Sequence, residues 1–180
     1  MKNLKKLFCS TFLLFLFSIL VAESLPSGYE NIQLGMSVDS AKEELKKNLD
    51  FGYRGDRDVS LLPGENRTLI ETNAAKVPSS YFTRCFFQFY KEKLCVITIN
   101  LNQQKMDYFS VFTALNKKYG EPVEFSPNRC LWQDSSVQLA LEKPLTLKYT
   151  DLAVRKELED KSFVEDSTEE KLASEFLDSL

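Results

Sequence analysis

The sequence predicts an α+β fold: a two-layer sandwich in which one antiparallel sheet carries two helices on one face, with a C-terminal helical tail beyond it. Three observations predict it. Apolar residues recur at helical spacing in two stretches, they alternate in two others that each close on a short polar turn, and the order is helix, hairpin, helix, hairpin, strand. Each helix-plus-hairpin unit is too small to bury its own apolar face, so the two are expected to share one composite sheet.

The first helix opens at Leu34-Gly35-Met36-Ser37. Ser37 can cap the exposed amides, and Val38, Ala41, Leu45 and Leu49 follow at helical spacing. Residues 50–80 then turn polar and are punctuated by Gly52, Gly55, Pro63, Gly64 and Pro78, with Thr68 to Thr72 as a short strand inside a long connection. Thr83 to Tyr90 and Leu94 to Leu101 form the strongest local signal, a hairpin turning at Lys91-Glu92-Lys93. A three-residue turn sets Phe89 opposite Cys95 and Ile99 opposite Cys85, so Cys85, Phe87 and Phe89 share a core face with Cys95, Ile97, Ile99 and Leu101. The other face, with Phe86, Gln88 and Tyr90 beside Leu94, Val96 and Thr98, is more apolar than a solvated sheet surface and calls for a cover.

The second helix runs from Met106 to Tyr119 through Phe109, Phe112, Leu115 and Tyr119, with Asp107 as N-cap and Gly120 as its left-handed close before Pro122. Arg129 to Gln133 and Val137 to Leu141 flank Asp134-Ser135-Ser136 as a second hairpin. Leu145, Leu147 and Tyr149 alternate as a last strand, which Pro144 assigns to an edge or a bulge. The tail, 151–180, carries ten carboxylates against four basic residues. It holds a capping box at Ser167-Thr168-Glu169-Glu170 ahead of Leu172, Ala173, Phe176, Leu177 and Leu180. That stripe either packs on this protein's own sheet or lays Leu172, Phe176 and Leu180 into a partner's groove.

Residues 1–24 read as a signal peptide. Lys2, Lys5 and Lys6 precede an uncharged run from Leu7 to Ala22, and small residues close it at Ala22 and Ser24. The run falls short of the roughly 20 residues a spanning helix needs, so a soluble exported protein with a 25–150 domain is expected; an inner-membrane anchor through residues 7–22 is the alternative. Cleavage before Leu25 leaves Cys85, Cys95 and Cys130. A Cys85–Cys95 bridge fails, because four residues of strand at about 3.3 Å each separate their levels against a limit of about 7 Å between bridged α-carbons. Cys130 could pair with either one, or all three could remain buried thiols.

Composition narrows the function. The chain of 180 residues carries a net charge of −3 and no histidine. Imidazole-based nucleophile systems, the usual zinc sites and a proton shuttle near neutral pH are therefore excluded. Lys and Arg do not cluster beyond the first six residues, so nucleic acid is not an expected partner. No phosphate loop, nucleophile elbow or metal-ligand spacing occurs, and no cofactor is expected. Carboxylate pairs such as Asp56/Asp58 or Glu142/Asp151 read as solvated surface.

Gly35-Met36-Ser37 leading into Val38 to Leu45, on an exported chain of this size, resembles the opening of the SmpA/OmlA (BamE-like) envelope domains. Tyr119-Gly120-Glu121-Pro122 is similar to the end of that family's helix, although here the two pieces fall on different helices. The tandem helix-plus-sheet order also resembles the architecture of the β-lactamase inhibitor protein. The family's lipidated cysteine is missing and the middle connection is longer. What the resemblance implies is a periplasmic protein that binds other proteins.

The expectation is thus a non-catalytic protein–protein interaction module of the bacterial envelope, with no stable membrane span once the signal is removed. Phe86, Tyr90 and Val96, with Trp132 nearby, are the expected recognition surface, since aromatic side chains dominate binding hot spots. The alternatives are a carrier of a small apolar ligand, held in a cleft between the sheet and the 50–80 connection, and a carboxylate-dependent hydrolase.

Overall fold

The computed structural model describes residues 24–73, 80–162 and 176–177. Residues 1–23, on which the expected signal peptide falls, lie outside the described residues, as do Leu172, Leu180 and the capping box.

The fold is α+β, dominated by one large antiparallel sheet. A small ribbon of β1 (Gly28–Tyr29) and β2 (Ile32–Gln33) leads into α1 (Val38–Lys47). Ser37 caps that helix as its sequence requires, its Oγ accepting the Ser40 amide at 3.2 Å, and Val38, Ala41 and Leu45 are buried. The connection after α1 is built more fully than expected. Two single turns of 3-10 helix, Leu49–Phe51 and Asp56–Asp58, precede β3 (Val59–Leu61) and β4 (Arg67–Asn73). Then come β5 (Phe82–Tyr90), β6 (Lys93–Leu101), α2 (Tyr108–Tyr119), β7 (Glu124–Phe125), β8 (Arg129–Gln133), β9 (Val137–Glu142) and β10 (Thr146–Asp151). A further helix, α3, covers residues 152–162.

The eight strands lie in the order β3-β4-β5-β6-β10-β9-β8-β7. Two four-stranded meanders therefore meet at a central β6–β10 pair, and the segment containing α2 carries the chain from the middle of the sheet to its far edge. The position of β10 corrects the edge assignment drawn from Pro144. That proline sits in the turn after Glu142, joined to Lys143 by a cis peptide bond, and takes no place in the ladder. β10 is free to pair on both sides.

The first hairpin corrects a second expectation. Lys91 and Glu92 both have positive φ, 48° and 62°, the signature of a two-residue type I′ turn. Tyr90 therefore pairs with Lys93 and Phe89 with Leu94, one residue out of step with a three-residue turn. The mismatch is absorbed by a register shift beside Gln88 and Phe89, after which Gln88 faces Val96 and Cys85 faces Ile99. Cys95 is the extra residue. Its side chain turns away from the core face, and Leu94 takes the place expected for it.

The pleat then separates two faces. On the first, Ile70, Cys85, Phe87, Phe89, Leu94, Ile97, Ile99, Leu139, Leu141, Leu147 and Tyr149 form one buried cluster with Val38, Ala41 and Leu45 of α1. Tyr108, Val111, Phe112, Leu115 and Tyr119 of α2 pack half-buried against the same cluster. Phe51, from a 3-10 turn that sequence periodicity does not flag, plugs it at 5.1 Å from Phe82 and 5.5 Å from Phe87 between ring centroids. On the second face, α3 crosses the sheet. Asp151 caps it by accepting the Ala153 and Val154 amides at 2.9 and 3.1 Å. Arg155 donates to Gln138 of β9 at 3.0 Å, and Glu157 accepts from the Tyr90 hydroxyl of β5 at 3.1 Å. This is the cover that the apolar character of the second face called for.

Candidate interaction site

The structure disperses the expected recognition surface. Tyr90 is 6% exposed, roofed by α3 through Glu157 and Lys161. Val96 is half-buried beside α3, and Phe86 is half-buried with the Arg84 guanidinium 5.0 Å above its ring. Trp132 is not near them. It lies on the first face, 2% exposed, with its indole N–H donating to the Gly120 carbonyl at 2.8 Å. Of Leu172, Phe176 and Leu180, only Phe176 is described; it is helical and 64% exposed.

An aromatic patch not foreseen in that form sits at the opposite end of the sheet. The inward stripe of α2 runs through Tyr108, Val111, Phe112, Leu115 and Tyr119, which leaves Phe109 one step around the helix and 72% exposed. Its expected place in the core stripe is thereby corrected. Two-residue β7, at the sheet's edge, presents Phe125 at 71% exposure, with Val123 beside it at 67%. Phe112 links the two: its ring centroid is 6.5 Å from Phe109, 5.7 Å from Phe125 and 6.2 Å from buried Trp132. Arg129 fixes β7 by donating to both Glu124 carboxylate oxygens at 2.7 Å.

Between Phe112, Pro122 and Phe125 lies a recess of about 240 Å³ that Asn116 and Glu121 also line. The Asn116 side-chain oxygen is buried there without a hydrogen-bond partner.

On the second face the bulge has its own consequence. Cys95 and Val96 both line a largely apolar cavity of about 290 Å³ beneath Val154 and Leu158 of α3. Among the described residues the 50–80 connection does not stand over the sheet as a separate wall, because its β3 and β4 are themselves strands of the sheet.

The carboxylate pairs do not converge. Asp56 is held by Lys42 at 3.0 Å, while buried Asp58 accepts from the Arg54 backbone amide and guanidinium. Glu142 and Asp151 sit at opposite ends of the β9–β10 ladder. Among the described residues no group of three His, Cys, Asp or Glu is placed to hold a metal ion.

All three described cysteines are buried thiols, outside any disulfide. Burial pushes the Cys85 thiol up to about 12 and that of Cys95 to about 11, with Asp151 adding to the latter. Two outcomes are expected. In the native protein, a thiol reagent at neutral pH should modify none of the three, and all should react once the protein is denatured. Because the folded protein holds these protons past their unfolded pKa near 9, the stability they contribute is complete below pH 9 and lost as pH rises toward 11–12. Chemical denaturation should show a lower unfolding free energy at about pH 10.5 than at pH 8; a flat profile would contradict the burial of these groups.

An eight-stranded antiparallel sheet with helices against it and an aromatic patch at one edge defines an α+β domain. The chain belongs to the TP0088 domain family, whose model matches residues 27–161 and so takes in all ten strands and nearly all of α3. Comparison with curated proteins and with solved structures returns no match.

Proposed function

We propose that this protein is an exported, non-catalytic interaction module of the bacterial cell envelope, and that its partner engages the aromatic patch of Phe109, Phe112 and Phe125. The observation that carries the reading is the exposure of Phe109 and Phe125 above 70%, the two rings lying 6.5 and 5.7 Å from that of Phe112. Large aromatic groups gathered at one site and left in water are characteristic of binding surfaces. The partner expected from this chemistry inserts an apolar group between Phe112 and Phe125.

Export rests on Lys2, Lys5 and Lys6 ahead of the uncharged run to Ala22, and the resemblance to the SmpA/OmlA domains supports a periplasmic, protein-binding role. Among the described residues no helix is long and apolar enough to cross a membrane. Residues 7–22 lie outside them, so release from the membrane is tested by fractionation of the mature protein.

Phe109→Ser with Phe125→Ser is expected to shift stability by no more than about 0.5 kcal/mol per site, since both side chains are largely solvated. Partner recovery after in-cell cross-linking should fall at least about tenfold. Unaltered recovery by the stable double variant would overturn the assignment of the surface.

A further inference from the structure

The cavity beneath α3 lies on the other face of the sheet from the aromatic patch and carries chemistry of its own. Its walls are Cys95, Val96 and the Thr150 side chain below, with Val154 and Leu158 one helical turn apart above. The β6 bulge makes the space by turning two consecutive side chains to the same side. The cavity meets a polar recess of about 220 Å³ lined by Asn66, Tyr90 and Lys161, and the two share Arg67, Leu158 and Ser162.

Most charges around this space are paired; Glu65 and Arg67 are not among the salt bridges of the described residues. Asp151 is turned into the α3 amides, and Glu159 faces Arg155 at 3.4 Å. Glu157 is held by Lys91 at 2.7 Å and by Lys161 at 3.4 Å. Glu65, which lines the recess, is exposed to solvent. Arg67 lines both spaces and forms no salt bridge among the described residues. Its side chain runs along Gly64, where even a Cβ would come within 3.3 Å of the guanidinium nitrogen Nε. Gly64 has φ of 95°, so glycine serves both the turn and the passage of this arginine.

We propose that this cavity is a binding site for a monoanionic amphiphile, a medium-chain carboxylate whose alkyl chain lies between β6 and α3 and whose head group meets Arg67. The chain class follows from size: about 290 Å³ lies just below the roughly 300–1,000 Å³ range of small-molecule sites, enough for a short alkyl chain and too little for a long one. The charge class follows from Arg67, whose guanidinium fork matches a carboxylate. This site is independent of the aromatic patch.

The test titrates the purified protein with decanoate, decanol, decyltrimethylammonium and hexadecanoate, following the amide resonances of Val96 and Leu158. Decanoate is expected to bind saturably, with the cation and the C16 acid each at least about tenfold weaker. Arg67→Gln should weaken decanoate about tenfold or more and leave decanol unchanged, since a charged hydrogen bond is lost and the apolar wall kept. Leu158→Trp should fill the cavity and abolish binding of both, whereas Phe109→Ser should change neither. No saturable shift up to about 1 mM decanoate, equal binding of the cation, or unaltered decanoate affinity in Arg67→Gln would each overturn the proposal. Because Arg67 is exposed, its variant reports even if Leu158→Trp fails to fold.

Discussion

Trp132→Ala is expected to cost about 3–5 kcal/mol of stability and to leave partner binding per folded molecule unchanged. The side chain is 2% exposed, packs 6.2 Å from the Phe112 ring and donates its indole N–H to Gly120 at the end of α2. Truncation removes the ring, leaves a cavity that the rigid β8–β9 ladder cannot close, and deprives the Gly120 carbonyl of a donor. Trp132→Phe keeps most of the volume and should recover most of the loss, the remainder being the hydrogen bond at about 1 kcal/mol. Denaturant unfolding checks both variants. The wild type offers a direct reporter, because Trp132 is the chain's single tryptophan: its emission should be blue-shifted when folded and move red in one transition. A Trp132→Ala protein of wild-type stability that no longer binds its partner would return this residue to the recognition surface.

Arg54→Ala is expected to destabilise by about 3 kcal/mol, far more than its surface position suggests. Its side chain is 46% exposed, but the Asp58 carboxylate it serves is 0% exposed and also accepts the Arg54 amide at 2.8 Å. Removing the guanidinium strands a buried charge beside β4. The adjacent Arg57 is exposed and donates only to the Arg54 carbonyl, so Arg57→Ala should cost no more than about 0.5 kcal/mol. The contrast between two neighbouring arginines is the readout in thermal or urea unfolding. Equal, small effects would mean that Asp58 is solvated.

Local chemistry made much of this fold legible. Ser37 and Asp107 each cap the helix their sequence announces, Gly120 closes α2, and alternation located the strands of both hairpins. What periodicity could not carry was a one-residue matter. Lys91-Glu92 contains none of the Asn or Gly that mark a type I′ turn, so the bulge at Cys95 and the exchange of Leu94 for Cys95 in the core had no local signal. Phe51 and β7 escaped for a related reason: elements of two or three residues span no more than one period, so no repeat can show. Pro144 misled because proline excludes only the ladder position it occupies, and it stands one turn before the strand begins.

The candidate site was less legible than the fold. Phe86, Tyr90 and Val96 do share a face, as alternation requires, but α3 crosses that face and covers Tyr90. Helix 152–162 carries Val154 and Leu158 as its sheet-facing apolar pair, too faint a stripe to stand out in an acidic tail. Trp132 shares a face of β8 with Cys130 while its neighbours Leu131 and Gln133 face the other way, and only the long-range register of β8 against β9 decides which side is core. Phe109 was the subtler case. It fits a helical stripe with Phe112, yet the stripe that α2 turns inward begins at Tyr108, and the discarded phenylalanine becomes the exposed one.

The most direct test of the interaction surface places a photo-cross-linking amino acid singly at 109, 125, 86 and 61 of the exported protein in its native envelope. Leu61 is the control, more exposed at 84% than either phenylalanine but remote from them in strand order. The account predicts the same discrete adduct from positions 109 and 125 and none from 86 or 61. An adduct from position 86 alone, or from 61 as readily as from 109, would contradict it.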